Sequence, residues 1–160
     1  MFRDCRVKSL GKSCGVALAL TSHMSRSRAD VDALTEKVIG CAIEVHRTLG
    51  PGLLEGVYRE CLIVELAAAQ LGVQSERRVH LEYKGQPIRG ELKLDLLIEG
   101  RLVVELKAVE GLLPVHLAQV ITYLKLTGCP AGLLMNFNTT SLRAGLRRLD
   151  HPDWHVKRNT

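Results

Sequence analysis

At Gly72 the hydrophobic period of this sequence changes, and that switch narrows the choice of folds more than any other feature. Ahead of it, Leu34, Val38, Cys41, Ala42, Val45 and Leu49 recur at steps of three and four, one face of an amphipathic helix. Gly50-Pro51-Gly52 stops that helix. A second helix is expected from about Leu53 to Leu71, with Leu54, Val57, Tyr58, Cys61 and Leu62 on one face and Gly72 at its carboxyl-terminal cap. Beyond Gly72, Val79, Leu81 and Tyr83 alternate with polar residues, the period of a strand. Lys84-Gly85-Gln86-Pro87 is a turn signal. Ile88 to Ile98 reads as a strand, Glu99-Gly100 as a tight turn and Arg101 to Ala108 as another strand, so the spacing predicts an antiparallel meander. Leu102 to Val104 is apolar at consecutive positions, as in a strand covered on both faces. A helix over Pro114 to Thr127 opens on its proline and stops before Gly128. Ala131 to Phe137 is a further strand and Leu146 to Leu149 a short last one. The order is ααβββαβ(β), an α/β (α+β) domain in which helices flank a mixed sheet.

A chain of 160 residues suits one domain with a real core. Residues 1–29 read as a disordered extension, 30–150 as the domain and 151–160 as a polar tail. The extension holds a short apolar run, Cys14 to Leu20, behind a basic segment; a secretory signal would look similar, but no small-x-small cleavage site follows. Met24 is an alternative start. Gly11-Lys12-Ser13 is not a phosphate loop, because Arg6 stands where the first glycine should be. Elsewhere no apolar run approaches the roughly 18 residues that span a bilayer, which argues against a membrane partner.

Net charge is +5, and the amino-terminal segment concentrates it, with Arg3, Arg6, Lys8 and Lys12 against Asp4. The rest is only mildly basic, which permits a nucleic-acid partner without demanding one. The five cysteines are odd in number, widely spaced and free of any C-x-x-C pair, which argues against a zinc site or a disulfide framework. Free thiols on apolar helix faces suit a cytoplasmic protein.

The residues that can do chemistry lie on the predicted meander. Asp95 interrupts the apolar strand made by Leu92, Leu94, Leu96, Leu97 and Ile98. Across the hairpin come Glu105 and Lys107, two apart and therefore on one face of their strand. Two carboxylates and an ammonium in apolar surroundings are costly unless paired or bound to a metal. Magnesium prefers oxygen ligands and takes one or two carboxylates, completing its shell with water and substrate phosphate. It lowers the pKa of a bound water, and a lysine beside it can neutralise charge developing on phosphorus. The bland alternative is a structural ion pair of Lys107 with Glu105 or Asp95.

At these positions the chain resembles a known family. Gly52-Leu53-Leu54-Glu55-Gly56-Val57-Tyr58 matches the GxxExxY signature, and the resemblance spans about residues 34–149. It includes the Leu49-Gly50-Pro51-Gly52 turn, Glu105-Leu106-Lys107-Ala108-Val109, Gln119 with Tyr123-Leu124, and Gly132 to Phe137. The family, GxxExxY, is placed in the PD-(D/E)XK nuclease superfamily. The resemblance implies a restriction-endonuclease-like core and hydrolysis of phosphodiester bonds in DNA or RNA with Mg²⁺, or Mn²⁺ in its place. It implies Asp95, Glu105 and Lys107 as catalytic residues and Glu55, Asp95 and Glu105 as metal ligands, with the Leu106 carbonyl as a further ligand. Gln119, Tyr123 and Tyr58 would support the site or the substrate.

From spacing alone, Glu55 with Tyr58 and Gln119 with Tyr123 each share a helix face. Without the resemblance, core packing with a bonded hydroxyl is the preferred reading of both tyrosines, and Glu55 would also suit a helix amino terminus. His116 falls near Gln119 on the same face, although a lone histidine meets no ligand-spacing rule. Arg77-Arg78 and Arg147-Arg148 read as solvated pairs. Three functions compete: a metal-dependent nuclease, a catalytically silent nucleic-acid-binding or regulatory protein that keeps the fold, and an interaction subunit forming a homodimer.

Overall fold

A computed structural model describes residues 27–153 of the chain. Residues 1–26 and 154–160, and with them the expectations for the amino-terminal extension and the end of the tail, lie outside the described residues. Helix α1 spans Arg28–Leu49. It begins two residues before the expected Asp30 because Ser27 and Asp30 form a capping box, each side chain bonding the other's backbone. Helix α2 spans Glu55–Ala68. Strands β1 (Val73–Tyr83), β2 (Gln86–Ile98) and β3 (Leu102–Lys107) follow. Next come α3 (Pro114–Thr127), β4 (Ala131–Asn136), a one-turn helix α4 (Leu142–Gly145) that the sequence pattern did not predict, and β5 (Leu146–Asp150).

The five strands lie in sequence order. Strands β3 and β4 run parallel, with α3 as their crossover, and every other neighbouring pair is antiparallel. The sheet separates two apolar layers. On one face α1 and α2 pack against Leu96, Ile98, Leu102, Val104, Leu106, Leu133 and Met135. On the other, Val120, Tyr123 and Leu124 of α3 pack against Val79, Leu94, Leu97, Val103 and Leu134. Strand β3 is thus covered on both sides, as its consecutive apolar residues predicted.

Two expectations for α2 are corrected. The helix closes at Ala69, with Gln70 left-handed after it, and not at Gly72. Leu54 and Val57 do not lie on the core face of α2: Leu54 is the residue before its first turn and is 79% exposed, and Val57 is 43% exposed. The core face is Tyr58, Leu62 and Leu66, all with no exposed surface. The helix begins at Glu55, so the buried stripe is set by i, i+4 and i+8 from Tyr58.

Besides a register shift between Val79 and Leu81 in β1, the ladder between β2 and β3 ends early, and that break fixes the site. Strand β2 pairs with β3 only at Leu96, Leu97 and Ile98, opposite Val104, Val103 and Leu102. Beyond that point β3 continues beside β4 as far as Lys107, opposite Asn136, while β2 departs with β1. The buried faces of β2 change phase at the same place. Leu92 and Leu94 pack toward α3, Leu96 toward α1 and α2, and Leu97 toward α3 again. Asp95 stands at that break.

Candidate active site

Where the ladder between β2 and β3 ends, the Asp95 side chain replaces it. Its Oδ2 accepts the Leu106 N–H at 2.8 Å, which satisfies a donor the missing backbone partner would have left unpaired. Opposite Asp95 in β1, Glu76 takes a left-handed φ of 51°, rare for a residue with a side chain. On the β3 side of Asp95 the ladder ends, while on the β1 side pairing keeps its register, Ser75 with Leu96 and Arg77 with Leu94, across the left-handed Glu76.

Glu105 and Lys107 stand on the α3 side of β3, as their spacing required. Lys107 Nζ donates to Glu105 Oε1 at 2.6 Å. Glu105 is 2% exposed, and its Oε2 is buried with no hydrogen-bond partner among the described residues. Burial, with the negative charge of Asp95 added, pushes the Glu105 carboxyl up to about 7, against the pull of Lys107. Burial works against the Lys107 ammonium, but its bond to Glu105 and the charges of Glu105, Glu55 and Asp95 outweigh that and raise its pKa.

Glu55 reaches the cluster from the first turn of α2. Burial raises its pKa, Lys107 lowers it and Asp95 raises it, so the three charges act on one another. His116 also acts on Glu55, but its Nδ1 is engaged by the Leu113 N–H at the start of α3. The imidazole therefore caps a helix and sits at the margin of the site.

Gln119 and Tyr123 act together on the α3 side. Gln119 Nε2 donates to the Tyr123 hydroxyl at 3.2 Å, and that hydroxyl donates to the Lys93 carbonyl at 2.7 Å. Lys93 lies two residues before Asp95, so the pair pins β2 beside the break. Burial raises the Tyr123 pKa, and the charges of Glu105 and Asp95 add to it. Tyr58 is different. Its hydroxyl donates to the Gly50 carbonyl at 2.7 Å and accepts the Leu53 N–H at 3.1 Å, while its ring stacks on Phe137 at 4.5 Å. It touches none of the charged groups. It holds the turn before α2 and so sets where Glu55 begins.

Two contributors escaped the sequence pattern. Arg59, one turn after Glu55, places Nη1 3.6 Å from Asp95 Oδ1 and Nη2 3.6 Å from Glu76 Oε1. Asn136, 1% exposed, accepts the Val109 N–H at 3.1 Å and donates to the Val109 carbonyl at 2.8 Å, fastening the chain just past Lys107 to β4. Glu55 and Arg59 at i and i+4 are a detectable signal; Asn136 falls in the Gly132 to Phe137 stretch of the resemblance, but no spacing singles it out. Gly145 belongs to the same region, since a Cβ there would run into the Asn136 carbonyl. Arg148 pairs with Asp32 and Asp150, and Arg77 bonds Gln74, so these arginines sit in local surface contacts.

Among the described residues no group of three or more His, Cys, Asp or Glu side chains converges tightly enough to hold a metal by protein ligands alone. The donor set nevertheless fits a hard divalent cation. Such an ion needs only one or two carboxylates and fills its shell with water. The unpartnered Glu105 Oε2, on an acid whose charge is opposed by Asp95, is the atom a cation would satisfy.

A family model for the PD-(D/E)XK nuclease superfamily matches residues 32–149, and the chain belongs to that superfamily. The mixed sheet flanked by helices is the restriction-endonuclease-like arrangement expected of it. Among solved structures, a chain described as the crystal structure of SSO0001 is similar over 83% of this chain and 71% of its own, with a TM-score of 0.49 and 15% identity. No curated protein matches the chain. Among the described residues no helix is long and apolar enough to cross a membrane.

Proposed function

We propose that this protein is a divalent-cation-dependent nuclease that hydrolyses phosphodiester bonds in nucleic acid at Asp95, Glu105 and Lys107, with Mg²⁺ the expected ion and Mn²⁺ an alternative. The observation that carries the reading is the buried, unpartnered Glu105 oxygen beside Asp95 where two strands part. Asp95 and Glu105 would hold the cation, and Glu55 lends charge from α2. When bound, the cation polarises a phosphoryl oxygen and acidifies a water. Lys107, whose pKa stays high, supplies a fixed positive charge for the developing phosphorane. Gln119 and Tyr123 keep β2, and hence Asp95, in place through the Lys93 carbonyl.

The test is cleavage of single-stranded, double-stranded and structured DNA and RNA in chelator, Mg²⁺ and Mn²⁺. The reading expects cation-dependent cleavage that Asp95→Ala, Glu105→Ala and Lys107→Ala each abolish. No cleavage by wild type on any substrate would count against it. A second reading, a silent nucleic-acid binder, draws on Asp95 already meeting the Leu106 N–H and Arg59. It expects salt-sensitive binding that survives Lys107→Ala.

A further inference from the structure

Arg59 is a cation that no part of the proposed reaction uses. Its side chain is 20% exposed, beside Asp95 at 13% and Glu76 at 46%. The guanidinium carries five N–H donors. Its Nε is buried with no hydrogen-bond partner, the Glu60 carboxylate being 3.9 Å away. Its two nearest other carboxylates, on Asp95 and Glu76, each stand at 3.6 Å, near enough for attraction and too far for a hydrogen bond. An arginine placed for structure alone would be expected to close a bidentate pair at hydrogen-bond distance. This one balances charge, and among the described residues its guanidinium makes no hydrogen bond to an acceptor.

The charge count says what those donors suit. Once Glu105 is ionised, Glu55, Asp95 and Glu105 outnumber Arg59 and Lys107, and the cluster has an excess of negative charge in the absence of metal. A divalent cation on Asp95 and Glu105 reverses the sign. Asp95 then no longer needs Arg59, and the cluster gains an excess of positive charge that a singly charged phosphodiester offsets. Guanidinium groups match phosphate oxygens in fork geometry. Glu55 and Arg59, one turn apart on α2, put a carboxylate and a phosphate donor on the same rim.

We propose that Arg59 is a substrate-phosphate ligand, resting on Asp95 until a metal binds there and then turning its free donors to a phosphodiester of the nucleic acid. The proposal rests on the nuclease reading of the site. It is tested with full-length wild type, Arg59→Gln and Arg59→Lys, by titrating Mn²⁺ alone and then labelled DNA and RNA duplexes of one sequence in Ca²⁺. Arg59→Gln is expected to bind Mn²⁺ as tightly as wild type or more tightly, because a competing cation has gone from Asp95. The same variant is expected to lose roughly tenfold in affinity for the duplex that wild type binds, with the salt slope falling by about one. Arg59→Lys is expected to recover part of that affinity and the full salt slope, and it carries the test if Arg59→Gln does not fold. Equal duplex affinity in wild type and Arg59→Gln overturns the proposal and leaves the nuclease reading standing. Weaker Mn²⁺ binding in Arg59→Gln also overturns it, since Arg59 would then be a support for Asp95. Wild type that takes up Mn²⁺ but binds neither duplex overturns it as well. Wild type that takes up no Mn²⁺ instead sinks the nuclease reading.

Discussion

Strand β3 has two halves that share one backbone and differ in everything placed around it. Leu102, Val103 and Val104 are fully buried between α3 on one face and α1 with α2 on the other, and β2 pairs with all three. Glu105, Leu106 and Lys107 keep β4 as a neighbour but lose β2, and an aspartate side chain takes over the ladder bond. The closed half resists water with hydrocarbon. The open half accumulates charge that is poorly paired in the metal-free protein. The contrast marks the candidate site: the sheet is sealed where it is structural and split where Asp95 and Glu105 would meet a cation.

The largest expected effect breaks the open half alone. Lys107→Met should lower cation-dependent cleavage by about a thousandfold, measured under single-turnover conditions, while the far-ultraviolet circular dichroism spectrum stays that of wild type. The next breaks the closed half. Leu96→Ala, which truncates a fully buried side chain opposite Val104, should destabilise the fold by about 3 kcal/mol in urea. The same variant should leave the Mn²⁺ affinity of the folded protein near that of wild type.

These two halves were unequally legible in the sequence. The closed half was read from Leu102 to Val104 as a run of apolar residues, and the helices and strands fell within a few residues of their expected ends. The open half was legible as a charge anomaly: Asp95 in an apolar strand, then Glu105 and Lys107 on one face. The sequence did not show that the strands separate there, because separation depends on the register of β2 against β3. Leu54 and Val57 were placed on the wrong side of α2, since a rich apolar sequence supports more than one stripe and only the packing of Tyr58 chooses. Asn136 and Gly145 were invisible because their contacts join residues far apart in the chain.

A smaller effect sharpens the comparison through pH. In the metal-free fold Glu105 holds its proton up to about 7, whereas an unperturbed carboxyl titrates near 4.5. The raised value means that this group's contribution to stability is complete below about pH 4.5 and is lost as pH rises through about 7. A cation must displace that proton, so the apparent Mn²⁺ affinity should rise roughly tenfold from pH 6 to pH 8. Glu105→Gln should remove that dependence. The smallest effect belongs to the turn before α2. Tyr58→Phe should cost about 1 kcal/mol of stability by removing the bonds to Gly50 and Leu53, read as a lower urea midpoint.

The central claim is that the open half of β3 is a divalent-cation site, and calorimetric titration of Mn²⁺ into metal-free wild type and Asp95→Ala tests it most directly. The account predicts saturable binding by wild type that is lost in the variant while the variant remains folded. Equal binding by the two proteins, or no binding by wild type at pH 8, would contradict it.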